Sequence, residues 1–301
     1  MAGRKPPGPY LCRMTLREAK QFLMAELSAV YDTREAANIT DWVLESLTSL
    51  SRVDRIVKTE NLLSPAQIET LKHYNSELIR HRPVQYVLHE SWFHGLRFYV
   101  NEHVLIPRPE TEELVNLIIE DHSNAASALR IIDIGTGSGC IPISLKHNLP
   151  QATIYACDVS AGALEVAGKN AKDLGTAIQF IQQDILDATL WQQLPEVDII
   201  VSNPPYIPES DQSSMHTNVL EYEPHLALFV SNEDPLTFYR AIAELAQTKL
   251  ARSGTVYAEI HEDLGPATMQ LFSQYGFAQT QLIRDMQGKD RMIKASGLTS
   301  R

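Results

Sequence analysis

Beyond residue 129 the chain alternates short apolar runs with stretches of helical spacing, and no other feature narrows the fold as far. The runs at 130–134, 153–157, 177–181, 198–201 and 255–260 have the length and content of buried strands, while 142–147, 161–173 and 236–250 space their apolar residues as helices do. Strands that alternate with helices are joined by right-handed crossovers, which produces a mainly parallel sheet covered on both faces. The last two strands, near 277–283 and 291–294, are separated only by 284–290, too short a link for a helical crossover. The sheet is therefore expected to end antiparallel, and the fold class is α/β.

The upstream third reads differently. Thr15 with Glu18 forms a capping box, after which Leu16, Ala19, Phe22, Leu23, Leu27 and Val30 recur near the helical period. A second helix is expected over about 34–48, with Trp42, Val43 and Leu47 inward. Ser64-Pro65-Ala66-Gln67 is a third start signal: serine caps free amides, proline suits the first helical position and glutamine reaches back, with Ile68, Leu71, Tyr74 and Leu78 following on one face. From 84 to 106, β-branched and aromatic runs broken at His94-Gly95 predict a β-hairpin connector. Next comes Pro107-Arg108-Pro109-Glu110-Thr111-Glu112, whose prolines hold Arg108 and Glu110 on a stiff loop before helical spacing at Leu114, Leu117 and Ile118. The organisation expected is a disordered extension over 1–13, a small helical domain over 14–83, the hairpin connector over 84–106 and the α/β domain over 107–301.

Composition removes several classes of function. With 44% hydrophobic and 21% charged residues, the chain has an ordinary soluble balance, and no apolar stretch approaches the roughly 18 residues needed to span a bilayer. The basic opening Met1-Ala2-Gly3-Arg4-Lys5 runs into Pro6-Pro7-Gly8-Pro9, where a signal peptide needs an apolar run. A cytoplasmic protein without a membrane partner is expected. Cysteines 12, 140 and 157 make no disulfide framework or ligand-spaced cluster, Cys140 and Cys157 reading as core residues, and His261-Glu262 lacks the second histidine of a metalloprotease helix, so no metal is expected. A net charge of −11 argues against stable nucleic-acid binding, which depends on many lysines and arginines releasing counterions from phosphates.

Ligands of open α/β sheets collect at the carboxyl ends of the strands, and here four successive strand ends carry polar chemistry. Asp133-Ile134-Gly135-Thr136-Gly137-Ser138-Gly139 closes the first strand, its glycines letting backbone approach a ligand. Cys140 stands where a dinucleotide fingerprint wants its last glycine, and no Walker lysine follows, so a nucleoside without pyrophosphate is the better ligand. Asp158 ends the second strand, where a carboxylate accepts from both ribose hydroxyls; its alternative role is a helix cap, which Ser160 can also fill. Asp184 follows the third strand and can accept from an adenine amino group. Asn203-Pro204-Pro205-Tyr206 follows the fourth, joining a side-chain amide, a rigid turn and an aromatic ring where a planar NH2 group can be held beside an electrophile.

The Gly-rich loop, the acidic strand ends and Asn203-Pro204-Pro205-Tyr206 resemble a Rossmann-type S-adenosylmethionine-dependent methyltransferase. Val104-Leu105-Ile106-Pro107-Arg108-Pro109-Glu110-Thr111-Glu112, with Glu221-Tyr222-Glu223-Pro224-His225-Leu226-Ala227-Leu228, is similar to the PrmC/HemK family, peptide chain release factor N5-glutamine methyltransferases, and the resemblance spans roughly residues 15 to 295. It implies a seven-stranded methyltransferase sheet behind an N-terminal helical substrate-recognition domain, S-adenosyl-L-methionine as cofactor with S-adenosyl-L-homocysteine as product, and peptide chain release factors, methylated on the glutamine of their Gly-Gly-Gln motif, as protein substrate. The implied cofactor residues are Gly135, Thr136, Gly137, Ser138, Gly139, Asp158, Asp184, Ile185 and Asn203. Asn203, Pro204 and Tyr206 are implied as catalytic, and Asn203, Pro204, Pro205, Tyr206, Arg108 and Glu110 as substrate-binding. Phe229-Val230-Ser231-Asn232-Glu233-Asp234-Pro235 departs from the glycine-rich stretch frequent in the family.

In this scheme Asn203 and the Pro204 carbonyl each accept one hydrogen of the acceptor amide, and Tyr206 packs its ring on that amide near the sulfonium. Arg108 orders its loop, and Glu110 contacts the methionine end of the cofactor or closes the site. The rival readings are an adenine-N6 or guanine-N2 nucleic-acid methyltransferase, a ribosomal-protein glutamine methyltransferase, and a binding module without turnover. The acidic balance weighs against the first, the Pro-Arg-Pro-Glu-Thr segment against the second and the intact Asn203–Tyr206 turn against the third.

Overall fold

The computed structural model describes residues 13–123 and 128–299, so the extension expected over 1–13 lies, apart from Arg13, outside the described residues. The described chain divides between Leu88 and His89 into two compact units.

The first unit holds helices α1 (Leu16–Leu27), α2 (Thr33–Thr48), α3 (Arg52–Val57), α4 (Pro65–Leu78) and α5 (Val84–Leu88). Both expected capping boxes form: Thr15 with Glu18 starts α1, and Ser64 with Gln67 starts α4 with proline in its first turn. Leu16, Leu23, Leu27, Ile39, Val43, Leu71 and Leu78 meet in the shared core. Trp42, expected inward, is 47% exposed, because the buried stripe of α2 runs through Ala36, Ile39, Thr40, Val43 and Leu44 and leaves position 42 off that face. Val30 lies beyond the end of α1 and is also exposed. The connector expected over 84–106 begins as helix, since Val84 and Val87 of α5 pack into the helical core.

The hairpin itself is shorter, β1 (Ser91–Phe93) against β2 (Leu96–Phe98), and belongs to the second unit. His94 and Gly95 form its two-residue loop, both with positive φ (50° and 73°), as a type I′ turn requires. There follow α6 (Pro109–His122), β3 (Arg130–Ile134), α7 (Cys140–Asn148), β4 (Thr153–Asp158), α8 (Ala161–Asp173), β5 (Gln179–Gln182), β6 (Val197–Ser202), β7 (Ile207–Pro208), α9 (Thr217–Tyr222), β8 (Phe229–Val230), α10 (Thr237–Lys249), β9 (Leu250–Glu259), α11 (Gly265–Gln274), β10 (Phe277–Arg284) and β11 (Asp290–Leu298). The seven-stranded sheet has the order β10-β11-β9-β6-β3-β4-β5. β9, β6, β3, β4 and β5 pair in parallel, while β11 runs antiparallel to both β9 and β10, as the short last link dictates.

Alternate residues of the central strands serve opposite faces. Ile132, Ile134 and Ile200 meet Tyr239, Ile242, Leu245, Leu271 and Phe272, mainly from α10 and α11; Ile131, Ile199 and Val201 meet Leu114, Ile118, Ile141 and Ile143 from α6 and α7. Each fully buried isoleucine contributes roughly 1.5–3 kcal/mol, which makes register costly to change. The chain winds outward from β3 through β4 to β5, then returns to β6 on the other side of β3. At that reversal the loops diverge, opening a crevice at the carboxyl ends of β3 and β6.

Candidate active site

A cavity of about 220 Å³ opens at this crevice, walled by residues 134–138 after β3, 157–160 after β4, 183–186 after β5 and 202–205 after β6. Leu105, Pro107, Arg108 and Thr111 contribute from the segment leading into α6. The four strand-end motifs therefore share one wall.

The loop after β3 is held by backbone bonds: the Gly135 and Thr136 amides donate to the Cys157 carbonyl at 2.8 and 3.0 Å. Gly139, the N-cap of α7, has φ +78°, and a Cβ there would lie 3.1 Å from Ala167 Cβ and Ile143 Cδ1, so glycine is required on both conformational and packing grounds. It stands behind the wall, setting the loop. Cys140 and Cys157 are buried free thiols. Asp158 accepts from the Gly137 amide through Oδ2 and from the Ser160 amide through Oδ1, each at 2.9 Å, so the carboxylate ties the glycine loop to the start of α8. Burial raises the Asp158 carboxyl, while the backbone amides of Gly137, Ser160 and Val159 pull it down. Ser160, not Asp158, caps α8, accepting from Ala163 at 3.2 Å.

Asp184 is an exposed wall residue whose Oδ1 accepts from the Leu186 amide at 2.9 Å, and Ile185 is a buried apolar patch beside it. Gln183 Nε2, Thr136 Oγ1 and Ser138 Oγ, all on the same wall, are buried with no hydrogen-bond partner among the described residues. Three orphaned polar groups beside a carboxylate and an apolar patch fit a ligand with both polar edges and a flat apolar surface, as a nucleoside has.

Asn203 follows β6 on the wall, and its Nδ2 donates to Thr111 Oγ1 at 3.0 Å. Thr111 in turn donates to Glu259 Oε2 at 2.6 Å, and Tyr206 donates its hydroxyl to Glu259 Oε1 at 2.9 Å. Glu259 ends β9 at 1% exposure; burial raises its carboxyl, against the hydrogen bonds from Thr111 and Tyr206. Its backbone carbonyl takes the hydroxyl of Tyr239 at 3.1 Å. Pro204 and Pro205 line the cavity, but Tyr206 does not: its ring sits edge-on to His261 and against the core under α10, and burial and Glu259 push its phenol upward. Its hydroxyl is thus tied to the buried carboxylate, which anchors the end of the Asn203–Tyr206 turn.

Arg108 is on the wall and forms an ion pair with the buried Glu223 at 2.6 Å; the other Glu223 oxygen accepts from the Ile106 amide at 3.2 Å. The two sequence segments that stood out together, 104–112 and 221–228, are thereby joined. Glu110, second residue of α6, is half-buried and not on the wall. The divergent stretch 229–235 is shaped by β8 pairing in parallel with β7, and by Asn232 Oδ1 accepting from the Ser210 amide at 3.0 Å.

Thr111, Glu223, Glu259, Gln183 and Asp133 were not assigned site roles from sequence. Asp133 and Glu259 do carry a readable signal, Asp133 as an acid flanked by the isoleucines of β3 and Glu259 as an acid between Ala258 and Ile260 at the end of β9. Asp133 is fully buried without a well-formed hydrogen bond to either carboxylate oxygen among the described residues; burial, with the Asp158 charge, pushes it up to about 7 while the Thr136 side chain beside it pulls it down. Gln183 and Thr111 look polar and ordinary until the fold places them. Among the described residues there is no cluster of three or more metal-binding side chains, and no helix is long and apolar enough to cross a membrane.

Residues 15–88 match the PrmC N-terminal domain family and residues 112–224 the Methyltransferase small domain family. The chain is 46% identical over 278 residues to the release factor glutamine methyltransferase of Flavobacterium psychrophilum, covering 92% of this chain and 96% of that one. It is 38% identical to that of Bacteroides thetaiotaomicron, covering 91% and 98%. The hMettl16 catalytic domain shares the fold at a TM-score of 0.52 and 17% identity, over 69% of this chain and 78% of that one. Near-complete coverage on both sides, with both domain families matched in order, leaves no large segment unaccounted for by the likeness: the chain belongs to the family of release factor glutamine methyltransferases.

Proposed function

We infer that this enzyme transfers a methyl group from S-adenosyl-L-methionine to the side-chain amide nitrogen of the glutamine in the Gly-Gly-Gln motif of peptide chain release factors, leaving S-adenosyl-L-homocysteine. The observation that carries the reading is the sharing of one cavity wall by Asn203, Pro204 and Pro205 with the glycine loop and Asp158. The Asp158 carboxylate, the Ile185 patch and the orphaned Gln183, Thr136 and Ser138 groups are the residues that would hold the cofactor, with Asp184 at their rim. The cofactor supplies an electrophilic methyl group on a sulfonium; no metal enters the scheme.

A glutamine amide is a poor nucleophile because its nitrogen lone pair is delocalised into the carbonyl. Asn203 Oδ1 and the Pro204 carbonyl accept the two amide hydrogens, which fixes the amide plane and points the nitrogen lone pair, perpendicular to it, at the methyl group. Pro205 stiffens the turn that holds both acceptors, and Tyr206 anchors it from behind. The proton left over after transfer rests on the nitrogen against Asn203 Oδ1 or the Pro204 oxygen until solvent removes it. Orientation of this kind contributes up to roughly 7–11 kcal/mol in well-aligned systems, more than general acid–base help of about 10²–10⁴-fold. Arg108, held by Glu223, shapes the mouth of the cavity; residues 14–83 serve as the substrate-recognition domain. The setting is the cytoplasm, where release factors work, without membrane or stable nucleic-acid partners.

The test is one incubation of the enzyme with methyl-labelled cofactor and three acceptors: a release factor, its glutamine-to-alanine variant and DNA. Label confined to the glutamine-bearing release factor is expected. Label on DNA, or on the alanine variant, refutes the reading.

A further inference from the structure

We propose that Thr111 and Glu259 are positioning residues for the transfer: together they dictate which end of the Asn203 amide is offered to the acceptor. The proposal rests on the function inferred above.

A threonine hydroxyl has one proton to give and lone pairs to receive. The Thr111 proton goes to Glu259 Oε2 at 2.6 Å, a short hydroxyl–carboxyl hydrogen bond. Its oxygen then faces Asn203 only as an acceptor, so only the Nδ2 end of that amide can meet it, at 3.0 Å. Oδ1 is left as the free end of a residue on the cavity wall. That is the end an NH2 acceptor needs. The reversed amide would aim N–H donors at the acceptor's own donors and set Oδ1 against an oxygen with no proton left to share.

Glu259 is needed in this arrangement because a neutral partner would let the Thr111 proton turn toward Asn203. The carboxylate is buried at the end of an interior strand, where an isolated charge is expensive. Each of its oxygens receives one hydroxyl, from Thr111 and from Tyr206. Through these two bonds one carboxylate controls both ends of the four-residue turn, Asn203 and Tyr206. Arg291 favours the charged form of Glu259 from nearby, and Glu110 opposes it. Thr111 can play its part because the proline-opened first turn of α6 carries it to the end of β9, a meeting that sequence separation conceals.

Wild type, Thr111→Val, Thr111→Ala, Thr111→Ser and Glu259→Gln are compared by single-turnover methylation of a release factor, calorimetric cofactor binding and thermal unfolding. Wild type must first label the release factor; if it does not, the functional reading fails and the roles of Thr111 and Glu259 fall with it. With wild type active, the valine and alanine variants are expected to lose about 10- to 100-fold in the transfer rate while cofactor Kd and release-factor KM stay within about threefold. Thr111→Ser, which keeps the proton relay, returns to within about threefold of wild type. Glu259→Gln has one oxygen for two hydroxyl donors and falls with the valine variant. Transfer by the valine and alanine variants within twofold of wild type overturns the proposal. So does a serine variant as impaired as the valine one, because the lost rate then follows packing and not the hydroxyl.

Discussion

Asp133 should make the wild-type protein progressively less stable than Asp133→Asn as pH rises from 5 to 8. The carboxyl is at 0% exposure, and burial shifts its pKa from 3.8 to about 7 in the fold. A folded value above the unfolded one means that the fold favours the protonated acid. The associated stability is fully present below about 3.8 and is lost as pH climbs through about 7. Every tenfold change in proton affinity corresponds to about 1.4 kcal/mol, so the whole excursion approaches about 4 kcal/mol, of which about 2.5 kcal/mol falls between pH 5 and 8. Asparagine keeps the shape but does not titrate, and any penalty from its own unpartnered amide is the same at every pH. Urea unfolding followed through the buried Trp191, at half-unit pH steps, yields the difference between the two proteins, with Asp158→Asn as a control because the Asp158 charge also raises Asp133. A difference that stays flat within about 0.5 kcal/mol over pH 5–8 refutes the reasoning, since it would mean that Asp133 is no harder to ionise in the fold than in the open chain.

Three further outcomes are expected. Asn203→Ala should lose single-turnover transfer while cofactor Kd moves less than about threefold, whereas Asp158→Ala should weaken cofactor binding by roughly 10-fold or more; equal losses of binding in both would cancel the division of roles. Arg108→Ala strips the ion pair from a buried Glu223 and should cost roughly 1–3 kcal/mol, read as faster hydrogen exchange at the Ile106 amide; unchanged exchange there would show that the pair does not hold the segment. Gly139→Ala adds a Cβ 3.1 Å from Ala167 and Ile143, whereas Gly135→Ala meets nothing within 4 Å although its φ is also positive. Both pay roughly 1–2 kcal/mol for a left-handed alanine, and the first should lose about 1–3 kcal/mol more from crowding in urea titrations; equal losses would assign the glycine requirement to backbone conformation alone.

Sequence periodicity is enough to locate the sheet because buried strands repeat apolar residues over short windows and their connections have characteristic lengths. The segments 130–134 and 161–173 coincide with β3 and α8, and the antiparallel ending follows from the length of 284–290. The hairpin turn is legible at His94-Gly95 for the same local reason. Trp42 faces outward against expectation because three neighbouring apolar residues do not reveal which face of a helix is covered. The segment 84–106 is only partly hairpin because α5 is a short helix whose apolar residues are held by tertiary packing, with no local signal to separate it from a strand.

The site divides along the same line. Glycines, strand-end acids and the Asn203–Tyr206 turn are local chemistry placed where an α/β sheet must present it, so sequence alone determined the fold class, the cavity's position and most of its wall. It could not determine the direction of hydrogen bonds among groups far apart in the chain. Whether the Tyr206 hydroxyl finds a buried partner in Glu259, whether Arg108 is free or paired with Glu223, and which end of Asn203 is open were all decided when β6, β9 and the first turn of α6 came together. A hydroxyl has one proton and a buried carboxylate claims it, and that competition exists only once tertiary packing has excluded water.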